Sequence, residues 1–362
     1  MWKDSCNNFC YVFKTNTVFE KSITQSNFSF KSSSFYDFVT NSRIESIVCK
    51  QAKSKDMLNL LFDSSEQKSL LSRSNQRLIK TLSNIQAGLE VAELFKSNNI
   101  DFILLKGFFL SNFIYENRAD RPINDVDILV KKKDLMSAKS LIENHLNYKQ
   151  QTIKHTNLRF HINPFLSQDN LARVEIHYQI FKDNEKRIED LVFNSVREIK
   201  FKSNKLYFLK SELNLLHLIF HGTSSGNLDV GIQYLLDIKF ILKKEKINFD
   251  CLFKLAKKLN LLNELNLTLV LIRDIFEIKT QKHFLYFEPP QNVIESSKRL
   301  LFQTTPQDSL LAIFYKNSLI ESVFDVQSLK KRNIFSLAIS FFARLKRVNT
   351  KSLQILFNLA LK

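Results

Sequence analysis

"RPINDVDILV", residues 121–130, is the stretch on which the fold turns. Val126, Ile128, Leu129 and Val130 have the apolar character of a buried strand, yet Asp125 and Asp127 interrupt it, and acidic residues are poor strand formers. Side chains alternate across a strand, so both carboxylates leave on one face while Val126, Ile128 and Val130 take the other. Two like charges so placed repel unless cations sit between them. An Asp-x-Asp alone is weak evidence, because solvent-facing strand edges carry acids too.

The neighbouring sequence gives the pair a setting. "DFILLKG" (101–107) reads as a short buried strand ending at Gly107, and "FFLSNFIYEN" (108–117) as the helix that follows. Gly107 permits close backbone approach to a phosphate, and a helix N-terminus helps to hold anions. Arg118 and Arg121 lie just before the aspartates, where a guanidinium holds phosphate oxygens bidentately; for Arg121 the alternative is structural neutralisation of the acidic cluster. Lys106 reads equally as a phosphate ligand or as an exposed lysine at a strand end.

Upstream, residues 36–100 are predicted helical, most clearly at "SNQRLIKTLSNIQAGLEVAELFKSNNI" (74–100), where Leu78, Leu82, Ile85, Leu89, Val91 and Leu94 recur at helical spacing. Downstream, "KKDLMSAKSLIENHL" (132–146) is a helix, and "NYKQQT" (147–152), "NLRFHINP" (157–164) and "LARVEIHYQIF" (171–181) read as strands. The last carries Glu175 and His177 on one face. Strand, helix, strand, helix and then strands is an α+β order, a small mixed sheet with helices packed on it. If the strands are neighbours, Asp125, Asp127 and Glu175 converge into a set of hard oxygen ligands suited to Mg²⁺, with Mn²⁺ as a substitute. For His177, ligand, proton-relay and structural roles stand level.

From about residue 211 the pattern becomes helical, in "SELNLLHLIFHG" (211–222), "VGIQYLLDIKFILKK" (230–244), "CLFKLAKKLNLL" (251–262) and "LNLTLVLIRDIF" (265–276). His217 and His221 are four apart on one helix, a metal-capable spacing, but with no obvious third ligand they are expected to be core or hydrogen-bonding histidines. Asp237 is a candidate to meet them as a buried polar pair, or to contact substrate. "FEPPQN" (287–292) reads as a linker, and "RNIFSLAISFFARLKRV" (332–348) as a basic amphipathic helix. The expected organisation is thus a largely helical region over 1–74, a catalytic domain over 75–210, a helical domain over 211–285, and a linker with C-terminal amphipathic helices over 286–362.

Composition sets outer bounds. Five glycines in 362 residues leave no glycine-rich phosphate loop or dinucleotide fingerprint, which removes P-loop and Rossmann readings. A net charge of +17 favours a polyanionic partner such as nucleotide, RNA or an acidic membrane surface, although Lys, Asn, Ile and Phe are abundant together, as in AT-rich coding sequence. Cys6, Cys10, Cys49 and Cys251 show neither ligand spacing nor a disulfide framework, so a reducing, cytoplasmic setting is expected. No run approaches the roughly 18 apolar residues of a transmembrane segment.

The pieces "LLKG" (104–107), "RPINDVDILV" (121–130), "VEIHYQI" (174–180), "LLHLIFHG" (215–222) and "YLLDIKFIL" (234–242) resemble a bacterial group of uncharacterised nucleotidyltransferases within the DNA-polymerase-β-like superfamily. The resemblance spans roughly residues 75–275. It implies a minimal nucleotidyltransferase fold in which Asp125, Asp127 and Glu175 bind two metal ions, and NMP passes from an NTP to an acceptor hydroxyl with release of pyrophosphate. A small molecule, a protein hydroxyl and an RNA end are the acceptor candidates. The superfamily's glycine-serine or glycine-glycine pair stands here as Gly107-Phe108, a departure at the nucleotide-phosphate contact. It motivates a rival reading, a silent nucleotide-binding or regulatory protein on the same fold. A further rival, a basic protein binding nucleic acid or membrane through its C-terminal segment, leaves the aspartates unexplained.

Overall fold

The computed structural model describes residues 2–13, 33–152, 160–182, 186–225, 228, 231–277, 285 and 287–302. The basic amphipathic helix expected at 332–348 lies outside these residues. The first described elements are helices: α1 (Trp2–Phe13), α2 (Ser33–Asn41), α3 (Glu45–Lys53), α4 (Leu58–Leu61) and the long α5 (Ser64–Ser97). A capping box starts α5. Asp63 accepts from the backbone N–H groups of Ser65 and Glu66, and Glu66 accepts from that of Asp63.

The buried face of α5 is rotated from the apolar stripe its sequence suggests. Thr81, Asn84, Ile85, Gly88 and Phe95 are buried, whereas Leu82 is 47% exposed. Hydrogen bonding accounts for the rotation. Thr81 Oγ1 accepts from the Ile123 amide (2.9 Å), and Asn84 donates to the Ile123 carbonyl (2.9 Å) while accepting from the Arg173 amide (2.9 Å). One helix face therefore grips the approach to the aspartate strand and the start of the glutamate strand.

Next come β1 (Phe102–Leu104), α6 (Lys106–Phe109), continued as a π-helical turn over Leu110–Ile114, and β2 (Val126–Val130). Then follow α7 (Leu135–His145), β3 (Lys149–Gln150), β4 (Phe165–Leu166) and β5 (Arg173–His177). The strands form one sheet in the order β1-β2-β5-β4-β3, with β2 and β5 parallel and the other neighbours antiparallel. Of the strand expected at 157–164, the described residues 160–164 carry an isolated bridge between His161 and His177, and β4 begins one residue after Pro164. Proline has no N–H to give a ladder, so it divides the run. The α+β class read from the sequence is the observed one, a mixed sheet packed with helices.

An element absent from the sequence reading follows α8 (Lys186–Asn194): a hairpin of β6 (Val196–Phe201) and β7 (Asn204–Leu209). It contributes Phe201 and Phe208 to an aromatic cluster with Phe108, Phe109 and Phe113 beneath α6. The helices α9 (Ser211–Phe220), α10 (Gln233–Lys244), α11 (Phe249–Lys258), α12 (Leu262–Phe276) and α13 (Gln291–Leu301) complete the described chain. Pro290 caps α13, which packs back on α12 and α1. Phe9, Phe13, Phe38, Phe276 and Phe302 make the aromatic core joining these ends. No described helix is long and apolar enough to cross a membrane.

Candidate active site

The parallel pairing of β2 with β5 sets Asp127 opposite Glu175 and Leu129 opposite His177. Residues two apart on a strand share a face, so Asp127, Glu175 and His177 leave the sheet together. All three are buried, and one ligand atom from each lies within 4.8 Å of the others, a group that could hold a metal ion. His177 Nε2 stands 2.6 Å from Asp127 Oδ1 and 3.9 Å from Glu175 Oε2.

Asp125 precedes the first residue of β2 and is outside this tight group. It is nonetheless close enough to be coupled to it: burial and the charges of Asp127 and Glu175 push its carboxyl up to about 6. The expected trio Asp125, Asp127 and Glu175 is therefore arranged as Asp127 and Glu175 with His177, and Asp125 at the margin.

Lys106 reaches the same oxygen of Asp127 that His177 does, at 2.9 Å, and its side chain is only 12% exposed. It is neither an exposed strand end nor free to range. Its backbone stands at φ +39°, a left-handed conformation that costs an L residue on the order of 1–3 kcal/mol. Burial alone would raise the Asp127 carboxyl, but Lys106 and His177 outweigh it and hold the group well below the usual carboxylate range. Burial also lowers His177 against the pull of Asp127, the direction that favours the neutral, metal-ligating imidazole. Asp127, His177 and Lys106 thus meet in direct contact at one carboxylate oxygen.

Glu175 is held from the other side. Arg173 donates through Nη2 (2.7 Å) and Nε (3.2 Å) to Oε1, while His161 Nε2 lies 3.8 Å from Oε2. His161, brought in by the bridge to His177 with ring centroids 5.0 Å apart, was not singled out in the sequence, nor were Arg173, Thr81 and Asn84. Their sequence signal is thin: an arginine two before the glutamate, and polar residues in phase with a buried helix face.

Arg121 and Asp237, read separately as phosphate and histidine or substrate contacts, meet each other. Arg121 Nε donates to Asp237 Oδ1 at 2.7 Å, and Tyr115 donates to that oxygen at 2.8 Å. The pair is 13% and 2% exposed. It ties the segment before β2 to α10. Burial pushes the Asp237 carboxyl up against Arg121 and Tyr115, while Asp237 keeps Arg121 charged despite its burial. Arg118 donates instead to Asn112 at 2.9 Å.

Gly107 lies in α6, where an added Cβ would find Ile123 at 3.6 Å and Arg121 Nη1 at 3.9 Å, ordinary contacts. His217 stands buried on α9 and His221 half-buried at the turn after it, and Asp237 pairs elsewhere. Burial and the Lys106 charge lower both imidazoles, His221 to about 3, and the charges of Asp127 and His177 also reach them. They border the acidic site rather than forming a separate centre.

A mixed sheet with buried acids on parallel central strands defines an α+β protein with a candidate cation site. The chain belongs to the uncharacterised nucleotidyltransferase family, whose profile matches residues 29–277. No curated protein matches it. Among solved structures, an antigenic nucleotidyltransferase-like protein from Paracoccidioides brasiliensis aligns at 13% identity and a TM-score of 0.32, over 50% of this chain and 88% of that one. A likeness that slight says nothing of activity or substrate.

Proposed function

We propose that the protein is a metal-dependent nucleotidyltransferase, moving NMP from an NTP to an acceptor hydroxyl. The observation that carries this reading is the register of Asp127 opposite Glu175, buried beside His177 in a chain of this family. The donor chemistry fits a divalent cation: two carboxylates and an imidazole on adjacent strands. When bound, such an ion supplies positive charge that holds the triphosphate and stabilises charge on the departing pyrophosphate.

The chain's own groups do the rest. Asp127 and Glu175 hold the cation, with Asp125 at the mouth of the same acidic face. Lys106, already paired with Asp127, is the ammonium placed to follow the phosphate charge once Asp127 has a cation. The acceptor oxygen forms a bond to the α-phosphorus and loses its proton to a neutral imidazole of the site or to water; the bond from the α-phosphorus to the bridging oxygen breaks, and pyrophosphate leaves with that electron pair. Arg121 and Asp237 fix the segment that presents the aspartates. The proposed setting is reducing and cytoplasmic, in keeping with Cys6, Cys10, Cys49 and Cys251 making no disulfide among the described residues.

The test is transfer of label from each α-³²P-NTP, with pyrophosphate release, using cell lysate as the acceptor mixture and Asp127→Ala as control. Label in a small-molecule, protein or RNA fraction with intact protein alone supports the reading and names the acceptor class. A specific observation favours a second reading: Lys106 and His177 already occupy Asp127 Oδ1, as in a site that binds nucleotide without turnover. Nucleotide binding without label transfer or pyrophosphate release would select it.

A further inference from the structure

We propose that the cation site is built for a first-row transition dication, Mn²⁺ in the first place, through direct ligation by His177 Nε2 beside Asp127 and Glu175. This rests on the metal-dependent reading above and specifies the metal. Mg²⁺ takes an all-oxygen, largely hydrated octahedron, whereas imidazole nitrogen suits transition ions. Here a nitrogen donor is built into the group of three from the start. It sits on β5, two residues from Glu175, so the strand that brings the second carboxylate brings the imidazole with it.

The distances agree. Two ligands about 2.1 Å from one ion lie about 3 Å apart when adjacent and about 4.2 Å when opposite. His177 Nε2 to Glu175 Oε2 is 3.9 Å, inside that span, and to Asp127 Oδ1 is 2.6 Å, a few tenths short of it. In that hydrogen bond to Asp127, Nε2 carries the proton; on ligation the ring takes its Nδ1–H tautomer, Nδ1 gaining a proton from solvent as Nε2 gives its own up, which leaves the Nε2 lone pair for the cation.

A second histidine stands beside the group. His161 Nδ1 lies 2.9 Å from the Ile162 carbonyl, which accepts only, so Nδ1 carries the hydrogen. Nε2 of His161 lies 3.8 Å from Glu175 Oε2. A carbonyl orienting an imidazole in this way is also the usual support of metal-ligating histidines. The need for phosphate oxygens in the coordination shell favours Mn²⁺, which suits oxygen ligands, over Zn²⁺, which is most often four-coordinate.

The experiment uses the full chain, stripped with chelator, in titrations with Mn²⁺ and with Mg²⁺ followed by calorimetry, and pulsed EPR of the Mn²⁺ complex for coupling to ¹⁴N. The expected result is Mn²⁺ binding about tenfold or more tighter than Mg²⁺, with directly bonded ¹⁴N coupling that is lost in His177→Gln. His177→Asp, an all-oxygen set, moves the preference back toward Mg²⁺. Thermal melting by circular dichroism verifies that both variants fold. Bound Mn²⁺ without ¹⁴N coupling, or with affinity unchanged in a folded His177→Gln, overturns this inference and leaves metal-dependent transfer standing. Failure of both ions to bind, with or without NTP, overturns the inference and the metal-dependent reading together.

Discussion

Replacing Asp237 by leucine leaves Arg121 charged and buried with no counter-ion. The guanidinium and carboxylate meet at 2.7 Å, with the carboxylate 2% exposed. At an effective dielectric near 20 their attraction is about 6 kcal/mol, much of it offset by the desolvation that pushes Asp237 up. Removing one partner of such a pair costs about 3–5 kcal/mol, because an uncompensated charge is left behind. Arg121→Met has a milder effect that shrinks as pH falls: the orphaned carboxyl already has a raised pKa, and in its protonated form still bonds Tyr115. The double variant Arg121→Met, Asp237→Leu is apolar on both sides and is expected to be less destabilised than Asp237→Leu alone. Urea unfolding followed by circular dichroism at pH 7.5 measures all three. Costs that add to within about 0.5 kcal/mol, or an Asp237→Leu penalty below about 1 kcal/mol, would refute the reasoning.

Other perturbations probe other parts of the fold. Gly88→Ala places a Cβ 2.7 Å from Phe108 and 3.2 Å from Val126, so overpacking of about 1–3 kcal/mol is expected in chemical unfolding. Asn84→Ala leaves the Ile123 carbonyl and the Arg173 amide without their partner; it is expected to cost about 1–3 kcal/mol in the same assay and to weaken pyrophosphate release by loosening both acid-bearing strands. Lys239 lies against Phe13 and Phe276, and burial lowers it to about 8. A base with a lowered folded pKa weakens the fold below its unfolded pKa, here from about pH 10.5 down to pH 8, with the loss complete below that. Lys239→Met is therefore expected to raise stability at pH 7 by up to about 3 kcal/mol, less any cation–π contribution. Melting curves across pH 7–11 should show the gain vanish at the alkaline end.

Where strand alternation governs, the site was legible in the sequence. Asp127 needed only a parallel neighbour bearing Glu175, and His177 follows from the same period of two. Asp125 obeys the alternation but falls before the paired part of β2, so strand pairing does not draw it into the tight group. His161 lies in a stretch read as a strand, but what sets it beside Glu175 is its bridge to His177, a pairing that local spacing does not show. Thr81 and Asn84 were passed over because their face is buried by hydrogen bonds to backbone, to which an apolar stripe is blind. The Arg121–Asp237 contact spans 116 residues, a pairing that local spacing cannot show. The β6–β7 hairpin alternates too weakly in burial, with its first strand half exposed, to stand out before the helical region.

Divalent-ion-dependent pyrophosphate release from NTP, compared between the intact protein and a folded Asp127→Asn variant, tests the central claim most directly. The account predicts turnover with the intact chain, its loss on chelation, and a fall of about 10³-fold or more in the variant, as when a transition-state charge clamp is removed. Turnover that persists in Asp127→Asn would contradict it.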